Sequence, residues 1–104
     1  MAMKRIVVRY RTKPEAADAN AQLIAQLFQE LKAKAPAGVR YLALRLEDDS
    51  FIHVSLLEAE HETSPIPQLE AFRAFQSGLK ERCLEPPQSS PATLIGTYRA
   101  LGEG

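Results

Sequence analysis

Residues 39–58, VRYLALRLEDDSFIHVSLLE, decide the fold. Val39 to Glu47 and Phe51 to Glu58 each alternate with the period of two that marks a half-buried strand. Between them Asp48, Asp49 and Ser50 are turn formers at hairpin length, so the two strands are expected to pair antiparallel.

Working outward toward the start, Lys4 to Arg11 alternates as well, with Ile6, Val8 and Tyr10 on one side and Val7, Arg9 and Arg11 on the other. Thr12-Lys13-Pro14-Glu15 then has capping-box spacing with proline in the first turn, which predicts a helix to about Ala35. Its apolar stripe is Leu23, Ile24, Leu27, Phe28 and Leu31. Pro36 stops it, and Gly38 can take the left-handed turn that leads into the hairpin.

Beyond the hairpin, Glu60 to Pro67 reads as a polar connection, and Leu69, Phe72, Phe75, Leu79 and Cys83 recur at helical spacing. This predicts a second amphipathic helix, weakened at Gly78 and ended by Pro86-Pro87, with a loop over Gln88 to Pro91. Ala92 to Ala100 alternates again and predicts the last strand, before a glycine-rich tail expected to fray. The order is βαββαβ over a single domain, residues 1–104. Right-handed crossovers turn that order into an α+β, ferredoxin-like fold: a four-stranded antiparallel sheet with two helices on one face.

Leu42, Leu44, Leu46, Ile52, Val54 and Leu56, joined by Ile6, Val8, Leu94 and Tyr98, make an unbroken apolar face that is expected to take the helices. The other face then carries Val7, Arg9, Arg11, Tyr41, Arg45, Phe51, His53, Ser55, Leu57, Ile95, Thr97 and Arg99. Left bare, its apolar members would form a patch that monomers avoid. Pairing with a twin sheet, giving a dimeric α+β barrel, is the expected remedy.

Composition sets the class. Hydrophobic residues are 45% and charged residues 25%, as in folded globular chains. Thirteen basic residues balance thirteen acidic ones, so no global field draws the chain to nucleic acid or an anionic membrane, and neither is expected as a partner. A single cysteine, Cys83, excludes an internal disulfide and favours a reducing cytoplasm. No apolar run has the length of a membrane span, and Met1 to Arg5 lacks the apolar segment of a signal peptide, so a cytosolic location is expected.

The segment Leu69 to Pro87, LEAFRAFQSGLKERCLEPP, resembles the second helix and exit of the antibiotic biosynthesis monooxygenase-like family, with two spaced phenylalanines, a leucine a turn later and a proline-rich stop. The resemblance implies a dimeric α+β barrel. In enzymatic members it also implies a pocket between helices and sheet where small aromatic compounds are oxidised without metal or flavin, hence no cofactor. Here Glu62-Thr63-Ser64-Pro65-Ile66-Pro67 lacks the histidine that enzymatic members often carry, and no tryptophan occurs. Gln68 to Leu84 contains no histidine to serve as the axial ligand of a haem-degrading relative.

His53, mid-strand, is the candidate general base, set against the plainer role of an interface histidine. Tyr10 and Tyr98, expected on the helix side, are candidate hydrogen-bonding phenols in catalysis; the plainer role is core packing. Arg9, Arg45 and Arg99, with Tyr41, are candidates to gather an anionic ligand, or else to pair with Glu47 or Glu58 across a dimer. Glu58, Glu60, His61 and Glu62 crowd potential metal donors but read better as a solvated charge run. Two functions follow. One is a cofactor-independent monooxygenase of a small aromatic compound; the other is a non-catalytic dimeric binding or regulatory module with an anion-compatible sheet face.

Overall fold

The computed structural model describes residues 3–58 and 63–100, so Glu60, His61, Glu62 and the glycines of the tail lie outside the described residues. Chain order is β1 (Met3–Thr12), α1 (Ala17–Lys34), β2 (Val39–Arg45), β3 (Ser50–Glu58), α2 (Glu70–Gln76), α3 (Leu79–Arg82) and β4 (Cys83–Pro91). The sheet runs β2-β3-β1-β4 and every neighbouring pair is antiparallel, the expected ferredoxin-like arrangement. The helices share one face of it: Ile24 of α1, Phe75 of α2 and Leu79 of α3 close a single core over Tyr10 and Phe51. Among the described residues no helix is long and apolar enough to cross a membrane.

The hairpin forms as its sequence requires, with Asp49 at positive φ and the Asp48 carboxylate accepting from the Ser50 N–H. At the start of the first helix the chain departs from expectation. Thr12 stays in β1 and gives its hydroxyl to the Asp49 carbonyl, so no capping box forms. A 3-10 turn over Pro14–Ala16 intervenes instead, and α1 begins at Ala17. At its other end Ala35 takes the left-handed conformation ahead of Pro36.

The second helical region is corrected in two ways. Gly78, at φ +79°, ends α2 and opens the one-turn α3, so the predicted continuous helix is bent. The last strand is not Ala92 to Ala100 but Cys83–Pro91, the segment expected to be a proline stop and loop. It lies at the sheet edge, where a missing N–H costs no ladder bond, and Pro86 and Pro87 fall where the register with β1 shifts between Arg9 and Arg11. Because β4 already fills the edge beside β1, residues 92–100 find no place there; the Ala92 N–H reaches the Arg5 carbonyl and the ladder stops. Ile95 is 99% exposed.

The faces of β2 and β3 are the reverse of those expected. Tyr10 stands opposite Phe51 and Val8 opposite His53, which stands opposite Ala43, so these side chains share the helix face. A one-residue offset moves a whole strand's side chains to the other side. Leu42, Leu44, Ile52, Val54 and Leu56 therefore point away from the helices together with Val7, and Leu44 is 51% exposed. For β1 the expectation of Val8 and Tyr10 inward holds.

Candidate active site

Beneath α2 and α3 a cleft of about 110 Å3 is lined by Val8, Tyr10, Tyr41, His53, Phe72, Phe75, Gln76, Leu79 and Pro87. Three adjacent strands supply its polar floor: Tyr10 from β1, His53 from β3 and Tyr41 from β2. Phe72 and Phe75 sit at the i, i+3 spacing that puts them on one face of α2, their rings 6.1 Å apart.

His53 is only 3% exposed, and each ring nitrogen meets a phenol: Nε2 lies 2.9 Å from the Tyr10 oxygen and Nδ1 2.6 Å from the Tyr41 oxygen. The line continues away from the cleft. Asn20 of α1 donates its amide N–H to the Tyr10 oxygen at 2.9 Å, and Arg82 of α3 donates Nε–H to the Asn20 oxygen at 2.9 Å. Arg82 is itself fixed by the carbonyls that α2 leaves unpaired at its end, Phe75 at 2.6 Å and Ser77 at 3.0 Å. The left-handed turn at Gly78 carries the chain back so that Arg82 reaches them.

Electrostatics follow from burial. Exclusion of water lowers the His53 imidazole to about 4, because the apolar surroundings penalise the charged ring. The same cause raises Tyr41 to about 12 and raises Tyr10 further, the Asn20 hydrogen bond opposing it in part. At neutral pH the floor of the cleft is thus an uncharged phenol–imidazole–phenol row. It is suited to giving and accepting hydrogen bonds, and it holds no group basic enough to retain a proton.

Of the residues singled out in the sequence, the structure brings His53, Tyr10 and Tyr41 together and scatters the others. Tyr98 is 82% exposed in the segment after β4, stacked against the Arg99 guanidinium, and not in the core. Arg9 points to the open face, opposite Ile52. Arg45 stays at the helix-side rim, bound to Asp18 of α1 and to Asp49. The expected gathering of Arg9, Arg45 and Arg99 on one face is therefore absent, because β1 and β2 present opposite parities and Arg99 is not in the sheet. Among the described residues no group of three His, Cys, Asp or Glu side chains could hold a metal ion.

Sequence reasoning missed Asn20 and Arg82. A signal exists for the first. Asn20 occupies the position four before Ile24 and seven before Leu27, a polar side chain inside the buried stripe of α1. Arg82 has none, since its role depends on the bend at Gly78.

The depressed His53 value fixes a pH dependence. An unfolded imidazole takes up its proton near the ordinary 6.5, whereas the native ring refuses it until about 4. Stability is therefore full above the unfolded value and is lost as pH falls from about 6.5 through about 4, by on the order of 3 kcal/mol. Urea denaturation at a series of pH values checks this: the His53→Gln chain is expected to lack that component of the acid-side loss.

No protein-family model matches the chain, and no curated protein matches it. Solved structures do. A Bacteroides thetaiotaomicron protein provisionally named an antibiotic biosynthesis monooxygenase superposes with a TM-score of 0.74 at 11% identity, over 89% of this chain and 90% of its own. A Nitrosomonas europaea protein with the same provisional name gives 0.72 at 10% identity, over 89% and 90%. A second N. europaea protein, NE2512, of unknown function, gives 0.71 at 19% identity, over 94% of both chains. The resemblance met in residues 69–87 thus extends to the whole architecture, and this chain has the ferredoxin-like α+β fold of the proteins named antibiotic biosynthesis monooxygenases.

Proposed function

We propose that the chain is a homodimeric, cofactor-independent oxygenase of a small, single-ring aromatic compound bound under α2 and α3. The observation that carries this is the cleft itself, aromatic-walled, of about 110 Å3, with an uncharged Tyr41–His53–Tyr10 floor. Enclosed apolar cavities of about 150 Å3 take up benzene, so a partly open cleft of about 110 Å3 has room for no more than a single ring. The names of the structural relatives point the same way.

The substrate class is a phenol or hydroquinone, rich enough in electrons to be oxidised by dioxygen without a metal or flavin. For a phenol the balance is one substrate and one O2 to one quinone and one water. One oxygen atom enters the ring, the other leaves as water, and the substrate supplies the electrons. Phe72 and Phe75 hold the ring, Tyr41 meets its oxygen, and His53 acts through Tyr41 as a neutral imidazole rather than as a base. Tyr98 has no part in this cleft. The alternative, a module binding an anion through Arg9, Arg45 and Arg99, loses that residue set with their separation. A reducing cytoplasm fits the lone Cys83.

Oxygen consumption in metal-free buffer with a panel of phenols and hydroquinones tests the activity. We expect one O2 per substrate and, for Tyr41→Phe, a fall in kcat of at least about tenfold, equivalent to roughly 1.4 kcal/mol of transition-state stabilisation. No consumption above that of the denatured protein would overturn the oxygenase reading.

The dimer is supported by the open face, where Val7, Leu42, Leu44, Ile52, Val54 and Leu56 share one side of the sheet, Leu44 half exposed and the others part-buried, an aliphatic set of the kind that marks an interaction surface. A second copy offers the same surface, and two such sheets close a barrel. Sedimentation at micromolar concentration is expected to give a dimer for the native chain and a monomer for Leu44→Lys/Val54→Lys. A native monomer would contradict this.

A further inference from the structure

Atoms already placed fix the direction of the buried hydrogen-bond line. A guanidinium only donates, so the Asn20 atom facing Arg82 Nε at 2.9 Å is its oxygen, and the amide nitrogen is turned toward Tyr10. The Tyr10 oxygen accepts there, and among the described residues the hydrogen-bond partner left for its own proton is His53 Nε2. A neutral imidazole that accepts at Nε2 carries its proton on Nδ1. The Tyr41 oxygen, at 2.6 Å, receives it. Run the other way, the line would have Tyr10 accept twice, leaving its hydroxyl proton without an acceptor in a fully enclosed position.

We propose that Arg82, Asn20, Tyr10 and His53 form a one-way line of donors that presents the Tyr41 O–H to the cleft, so that the site selects ring compounds bearing an acceptor oxygen, a phenolate or a carbonyl. This rests on the cleft reading above and deepens it. Asn20 and Arg82 are positioning residues: they touch no ligand but set which nitrogen of His53 holds the proton and hence which way Tyr41 points. The permanent charge of Arg82 anchors the line, since that end can never reverse. Phe75 is tied in at the same place, its carbonyl accepting from Arg82 and its ring under the guanidinium at 5.5 Å. The wall of the cleft and the direction of its donor thus share one support.

Long-range proton–nitrogen NMR of the uniformly 15N-labelled protein reads the tautomer directly. For the native chain we expect His53 protonated at Nδ1 and bare at Nε2, with the resonances identified by their loss in His53→Gln. In Asn20→Asp the new carboxylate still accepts from Arg82 but cannot donate to Tyr10. The Tyr10 O–H then donates a hydrogen bond to that carboxylate, and His53 switches to Nε2–H. A native Nε2–H tautomer, or no switch in a folded Asn20→Asp chain, overturns the direction; should that variant not fold, the native spectrum alone decides it.

Acetophenone and its near-isostere isopropylbenzene test the ligand class by NMR titration. Acetophenone is expected to bind about fivefold more tightly, the worth of one hydrogen bond, with the difference gone in Tyr41→Phe. Equal affinity, or binding by neither, overturns the proposed selection. None of these readouts needs turnover, so the donor line and the oxygenase reading fail separately.

Discussion

The rest of the site depends on one constraint: an imidazole excluded from water must stay neutral and must have a partner at both nitrogens. A buried polar group left unpaired costs about 1–3 kcal/mol, and a buried charge more. His53 meets the requirement with the phenols of the two neighbouring strands, Tyr10 and Tyr41. Each phenol inherits the same requirement. Tyr10 is satisfied by Asn20, and Asn20 by Arg82, which takes up the carbonyls at the end of α2. A single enclosed ring thus ties β1, β2 and β3 and helices α1, α2 and α3 into one polar line. The line ends at Tyr41, at the cleft.

The same geometry gives the sheet two unequal faces. One is filled by Tyr10, Phe51, His53 and the helices; the other is rich in leucine, isoleucine and valine with Arg5, Arg9 and Arg40 among them. The inner face spends its volume on aromatic and polar groups that make a site. The outer face carries the aliphatic set, and the half-exposed Leu94 of residues 92–100 lines one hollow there with Leu42, Val54 and Leu56.

Much of this is legible in the chain, and the parts that are not have identifiable reasons. The period of two in β1, β2 and β3 and the stripe Ile24, Leu27 declare themselves locally. The side to which each strand turns does not, because β2 and β3 carry apolar residues on both parities. Leu42, Val54 and Leu56 look like the core, yet the pairing of Tyr10 with Phe51 puts the aromatic set there instead. Strand β4 is hidden by Pro86, Pro87 and Pro91, which break an inner strand and are harmless at an edge. His53 is visible as a mid-strand histidine. Its partners are not, since Tyr10 lies 43 positions away and Arg82 arrives only through the bend at Gly78.

In the folded chain His53 is held neutral between two phenols. A pH titration of its ring proton resonance, identified by comparison with His53→Gln, measures this most directly. The resonance is expected to stay unchanged through neutral pH and to inflect near 4; an inflection at the ordinary 6.5 would mean that the ring is not held neutral in this way.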